Sequence, residues 1–184
     1  MNLLSSPALV TVLFALSVVC PVFAAPVTNK VTGTIIYEGT WPKGTWSGTN
    51  TAVNGVLVWD ESKTNLTGTV CMDLAKWDSG NAVRDRHTRT MFDTGKFTNA
   101  CYTITAVKGR PGTGNVTLVT TLDLHGTQRA QSVPGTLKVE KDRLTFRGEA
   151  VLRLSEWGLK RPSLLGAEVA DEVRLLIQCN TTTP

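Results

Sequence analysis

Arg143-Leu144-Thr145-Phe146-Arg147-Gly148-Glu149-Ala150-Val151-Leu152-Arg153-Leu154 alternates apolar and polar side chains along almost its whole length. Leu144, Phe146, Ala150, Leu152 and Leu154 share one face, while Arg143, Arg147, Glu149 and Arg153 share the other. Neighbouring side chains of a strand point to opposite faces, so this alternation predicts a long strand with one wet face. The same parity puts Val31, Ile35 and Tyr37 inward on a first strand, and Val70, Met72 and Leu74 inward on another. It does so for Tyr102, Ile104 and Ala106, and then for Val116, Leu118, Leu122 and Leu124. A last strand offers Val173, Leu175, Ile177 and Cys179. Residues 53–59 and 135–139 add two more. Turn signals separate the runs, at Glu61-Ser62-Lys63-Thr64-Asn65, Gly109-Arg110-Pro111-Gly112-Thr113-Gly114 and Glu140-Lys141-Asp142. The reading is all-β, with about eight strands in sequential hairpins. Such strands need a second sheet or closure on themselves, and pattern alone leaves sandwich and barrel both open. An eight-stranded closed barrel has room inside for one small ligand.

Outside that pattern, composition narrows the class. The chain has 184 residues, 41% hydrophobic and 18% charged, with a net charge of +4. Disorder would need fewer apolar residues and more uncompensated charge, and the length suits one domain. The charge is mild and no basic run exceeds two residues, which argues against nucleic acid as a partner. A local positive spot remains, compatible with contact at a membrane surface.

Residues 1–25 carry no charged side chain. The run Leu13-Phe14-Ala15-Leu16-Ser17-Val18-Val19 leads into Val22-Phe23-Ala24, small residues at the positions a signal peptidase reads. Residues 1–24 therefore read as a signal peptide and residues 25–184 as one exported domain, periplasmic or secreted; an uncleaved single-span anchor is the competing reading. Ser17-Val18-Val19 before Cys20 lacks the small residue that a lipoprotein site requires.

One segment has no alternation. Residues 79–91 follow Asp78, a good helix cap, and put Val83, His87 and Met91 on one helical stripe. Asp85 and Arg89 stand at the spacing of a favourable ion pair. The expectation is a short basic helix closing one end of the β structure, with Arg84, Arg86 and Arg89 near the rim.

At this point the chain resembles the YceI-like family. The carrier is the run Gly68-Thr69-Val70-Cys71-Met72-Asp73-Leu74-Ala75-Lys76-Trp77-Asp78-Ser79-Gly80-Asn81-Ala82-Val83-Arg84-Asp85-Arg86-His87. Downstream, Leu122-Asp123-Leu124-His125-Gly126-Thr127-Gln128-Arg129, Ser155-Glu156-Trp157-Gly158-Leu159 and Asp171-Glu172-Val173 resemble further family motifs in the right order. Leu154 stands where the family commonly has Arg, and the segment bearing Trp41, Gly44, Trp46 and Gly48 is unusually rich in Gly and Thr. The resemblance implies an exported, lipocalin-like antiparallel barrel that holds a polyisoprenoid or isoprenoid quinone in its bore.

Covalent catalysis finds no support. His87 and His125 are the only histidines, no ligand spacing suggests a metal site, and no nucleophile-elbow motif occurs. The expected function is that of a non-enzymatic binding protein without cofactor or metal. Val83, Arg84, His87 and Met91 are its candidate ligand contacts at the helix. Parity adds Tyr37, Met72, Tyr102, Leu122, Phe146 and Ile177 as candidate bore lining. The rival class is a protein-interaction module with a side-chain-filled barrel, using Trp41 and Trp46 as outward anchors. Parity also puts Cys71 and Cys101 outward and Cys179 inward. If the first two lie on neighbouring strands, an oxidising compartment gives a Cys71–Cys101 disulfide with Cys179 free and buried. Asn65, Asn115 and Asn180 head glycosylation sequons, used only in a eukaryotic host.

Overall fold

The computed structural model describes residues 27–59, 65–112, 114–141, 143–164 and 166–182. The expected leader over residues 1–24 lies outside them, as do turn residues 60–64, Thr113 and Asp142.

The chain runs through β1 (Val27–Trp41), β2 (Gly44–Trp59), β3 (Leu66–Asp73), α1 (Ala82–Met91), β4 (Asn99–Gly109), β5 (Gly114–Leu124), β6 (Thr127–Glu140) and β7 (Arg143–Arg153). A two-stranded hairpin of β8 (Ser163–Leu164) and β9 (Ala167–Glu168) precedes the last long strand, β10 (Glu172–Thr182). The eight long strands close in the order β1-β10-β7-β6-β5-β4-β3-β2, each pair antiparallel. Closure removes the exposed sheet edges that the alternating strands would otherwise present, so the barrel stands and the sandwich falls.

Strand parity holds for most of the wall. Leu144, Phe146, Ala150, Leu152 and Leu154 are all buried, as are Val116, Leu118, Leu122 and Leu124. Ala106 is a correction: it is exposed, because the β4–β5 register shifts between Ile104 and Ala106 and Val107 packs against the core instead. A bulge adds one residue to one strand and so reverses parity beyond it. A second irregularity, between Gly33 and Ile35, is stitched by Asn50, which is fully buried. Its Nδ2 donates to the Asp73 carbonyl at 2.7 Å and its Oδ1 accepts from Ala52 N at 2.9 Å.

Cys71 and Cys101 are direct cross-strand partners on β3 and β4, and they are joined by a disulfide. Cys179 is free, but half-buried rather than fully buried, since it sits towards the end of β10. His125 forms a turn. With Gly126 it makes the two-residue β5–β6 link, at φ 52° and 74°, the left-handed pair that a tight hairpin requires.

The barrel forks at one seam. β6 pairs with β5 from Thr127↔Leu124 to Leu137↔Gly114 but with β7 only from Gly135↔Gly148 to Glu140↔Arg143. Pro134 explains where the ladder stops. A Cβ on Gly148 would lie 2.7 Å from the Pro134 carbonyl, so that carbonyl faces β7, and the nitrogen on the same side has no hydrogen to donate. Beyond the fork, side chains span the gap: Gln131 Nε2 donates to the Val151 carbonyl at 3.0 Å, and the Arg129 guanidinium lies 5.9 Å from the Trp157 ring centre.

Candidate functional site

The β3–β4 connection caps the barrel. Asp73 Oδ1 accepts from Ala75 N at 2.9 Å and starts a 3-10 turn, Leu74–Lys76, that drives Leu74 completely inside. Asp78 then pairs with Thr49 as an isolated bridge, at 2.7 and 2.9 Å, and its Oδ1 accepts from Gly80 N at 2.8 Å, so it closes a turn ahead of the helix instead of capping it. This corrects two expectations. The helix begins at Ala82, and its cap is Asn81, whose Oδ1 accepts from Val83 N and Arg84 N at 3.1 Å each. Asp85 does not serve Arg89. It is buried and accepts from Ser79 N at 3.0 Å and Ser79 Oγ at 2.5 Å, pinning the helix to the strand-side turn. Arg84 completes that knot, donating from Nε to Ser79 Oγ at 2.8 Å and from Nη2 to the Ser79 carbonyl at 2.9 Å. Its guanidinium also lies 5.8 Å from the Trp46 ring centre.

Beneath α1 is a cavity of about 440 Å³, within the ~300–1,000 Å³ usual for small-molecule sites. Its wall is mainly aliphatic and aromatic, and among the described residues Arg84 and His87 are the only basic side chains on it. The exposed lining residues are Asn81, Val83, His87 and Ser163, so the mouth lies between α1 and the β8–β9 hairpin. A smaller void of about 60 Å³ continues below, sharing Met72, Ala100 and Tyr102 with the larger one. The upper half of the barrel is therefore open and the lower half is filled by its own side chains.

All ten candidates from the sequence lie on these walls. Val83, Arg84, His87 and Met91 line the large cavity from α1; Tyr37, Met72, Tyr102 and Leu122 line it from the strands. Phe146 and Ile177 line only the small one. Val83 is 55% exposed, so it forms the lip and not the interior. Trp41 and Trp46 are not outward anchors: both are half-buried and line the large cavity, and Trp41 Nε1 donates to the Ala167 carbonyl at 3.2 Å.

Sequence reasoning missed Trp77, Phe92 and Ala100 as lining. Ala100 obeys the parity of β4 and was within reach of it. Trp77 and Phe92 lie on the irregular connection, where no period marks an inward side.

The β1–β2 hairpin explains the Gly-rich segment. Tyr37 pairs with Gly48, and Gly39 with Trp46. A Cβ on Gly48 would stand 2.4 Å from the Tyr37 ring, and one on Gly39 2.9 Å from the Trp46 ring. Each aromatic thus lies flat over a glycine against the wall, which keeps the bore open. Two of the other family-like motifs bond each other: Ser155 N and Oγ donate to the Asp171 carboxylate at 2.8 and 2.6 Å, tying the turn after β7 to the start of β10. These bonds from Ser155 hold the Asp171 carboxyl below the ordinary carboxylate range.

Tyr102 marks the floor of the open half. Burial pushes its hydroxyl well above the ordinary phenol range, and it donates to Gln131 Oε1 at 2.9 Å. Gln131 thereby couples the floor to the fork. Replacing Gln131 with Leu is expected to cost about 1–3 kcal/mol, because a buried hydroxyl loses its partner. Urea denaturation measures this, and adding Tyr102→Phe should recover part of the loss. A null effect of Gln131→Leu would show that the fork holds without the bridge.

The sequence profile of the YceI-like domain family matches residues 26–181. The chain belongs to that family. The solved structure of Burkholderia cenocepacia BcnA is similar at TM-score 0.71 and 17% identity, covering 82% of this chain and 96% of that one. A polyisoprenoid binding domain from Saccharophagus degradans, implicated in plant cell wall breakdown, is similar at 0.64 and 12% identity, covering 87% of this chain and 100% of that one. The Campylobacter jejuni YceI protein follows at 0.62 and 15%, covering 74% and 85%. At these identities the likeness concerns the fold. No protein of curated function matches the chain.

Proposed function

We propose that this YceI-like barrel is an exported binding protein that holds one long isoprenoid lipid, a polyisoprenoid or an isoprenoid quinone, in the cavity beneath α1. The observation that carries the reading is the cavity itself: about 440 Å³, apolar-walled and open at one end. An unfilled bore is the opposite of what a protein-interaction module with a packed core would build. Each methylene taken from water contributes about 0.8 kcal/mol, so a long chain binds with few polar contacts. The polyisoprenoid-binding description of the Saccharophagus degradans domain supports the same ligand class. Export is supported by the leader-like residues 1–24 and by a disulfide that an oxidising compartment would preserve. Val83, Arg86 and His87 stand exposed on α1, which suits uptake of the ligand from a membrane surface.

Solvent extraction and native mass spectrometry of the purified protein test this. The expected result is a co-purifying isoprenoid lipid near one per chain. Ala100 is 3% exposed and borders both voids, so Ala100→Phe should fill the ligand space. Lipid retention is expected to fall at least about tenfold, with the melting temperature held or raised, since cavity-filling is commonly stabilising. Arg84→Ala and His87→Ala are expected to weaken retention at the mouth; full retention in both removes them from the site. A wild-type protein that extracts clean and takes up no lipid ends the proposal.

A further inference from the structure

Among the described residues, four buried side-chain polar atoms have no hydrogen-bond partner within the protein: two on Asn29, the Tyr37 hydroxyl and the Trp77 indole N–H. Buried polar groups are nearly always paired, so each exception calls for a cause. Asn29 borders neither void. Tyr37 and Trp77 both line the large cavity, 9% and 4% exposed, and they touch each other edge to face with ring centres 5.0 Å apart. Two unsatisfied donors thus stand on neighbouring rings of a mainly apolar wall.

We propose that Tyr37 and Trp77 form the polar subsite of this cavity, taking an uncharged oxygen acceptor, such as a carbonyl or ether oxygen, of a mainly apolar ligand. The proposal rests on the lipid-binding reading above and adds what the lipid must carry. Indole offers a donor only, and phenol a donor and an acceptor, so an oxygen with two lone pairs satisfies both. Neither group bears a charge. Arg84, the one guanidinium on the wall among the described residues, is already bonded to Ser79 and lies against Trp46. A phosphate placed at Tyr37 and Trp77 would be buried without a counter-charge, which is strongly unfavourable. Both polar atoms are closed to water in the packed wall, so the ligand oxygen reaches them by a small tilt of either ring. The Tyr37 hydroxyl lies over Gly48, where a Cβ would stand 2.9 Å from it, so β2 sets no side chain against that end of the ring.

Decyl-1,4-benzoquinone and decylbenzene, which share tail and ring size and differ in the oxygens, are the probes, with farnesyl phosphate as the anionic control. Equilibrium dialysis against lipid-stripped protein is expected to show the quinone bound about tenfold tighter than decylbenzene, with farnesyl phosphate no tighter than decylbenzene. Tyr37→Phe keeps the ring shape and Trp77→Phe keeps an aromatic ring at its position, and each should remove most of the quinone preference while leaving decylbenzene binding within about twofold. Equal binding of the two decyl probes by the wild type, or a preference untouched in both variants, overturns the subsite and leaves the lipid-binding reading intact. Tighter binding of farnesyl phosphate than of the quinone overturns the uncharged character. A wild type that binds none of the three overturns both proposals together.

Discussion

Phe146→Ala is expected to destabilise the barrel by about 3–5 kcal/mol, the range for emptying a buried phenylalanine site. The site has little means of collapsing. Phe146 stands inward on β7, and its ring covers Gly148 and Gly135; a Cβ added to either would come within 2.5 and 2.8 Å of it respectively. Those glycines pair across the fork of β6 and β7 and have no atoms to move into the hole. The void of about 60 Å³ next to it would simply enlarge. Denaturant titration should show a lower midpoint with an unchanged slope, and the melting temperature should fall by roughly 10 °C. Lipid retention on the folded fraction should stay as in the wild type, because Phe146 borders the small void and not the large one. Loss of retention without loss of stability would move the ligand below Tyr102.

Removing the bridge by Cys71→Ala with Cys101→Ala is expected to cost about 3.6 kcal/mol, the chain-entropy value for a loop of about thirty residues. The two cysteines are 30 positions apart, and the loop they close contains α1 and the cap of the cavity. The loss should therefore show in global unfolding and also as faster hydrogen exchange in α1. Non-reducing peptide mapping supplies the chemical check: one linked Cys71–Cys101 peptide, and Cys179 alkylated only after unfolding. All three cysteines alkylated in the native protein would end the disulfide. Burial pushes the Cys179 thiol up from 9.0 to about 11. Its folded-state value lies above the unfolded one, so its contribution to stability is complete below pH 9 and is lost as pH rises through about 11.

The barrel wall was legible residue by residue, because side-chain direction in a strand is a local property. Leu144, Phe146, Ala150 and Leu152 could be placed inward from their own neighbours alone, and the Cys71–Cys101 pairing followed from two such parities plus strand adjacency. The helix was legible as a break in alternation, though its start was not. Asp78 and Asn81 are both good caps by composition. The tertiary structure chose Asn81: Asp78 is bridged to Thr49, on a different strand, and its carboxylate is taken by Gly80 N before the helix begins.

The candidate site divides in the same way. Tyr37, Met72, Tyr102 and Leu122 were found by period, and Trp77 was not, since a 3-10 turn and a bridge carry it inward with no repeat to mark the side. The sequence alone determined an all-β chain with one apolar face per strand, a basic helix and a cross-strand cysteine pair. Only the tertiary structure decided that Ala106 turns outward, because a bulge reverses parity and no residue type announces it. It alone decided that the upper bore is empty and the lower one filled. A cavity is space left where side chains from many strands fail to meet, and it belongs to no single stretch of chain.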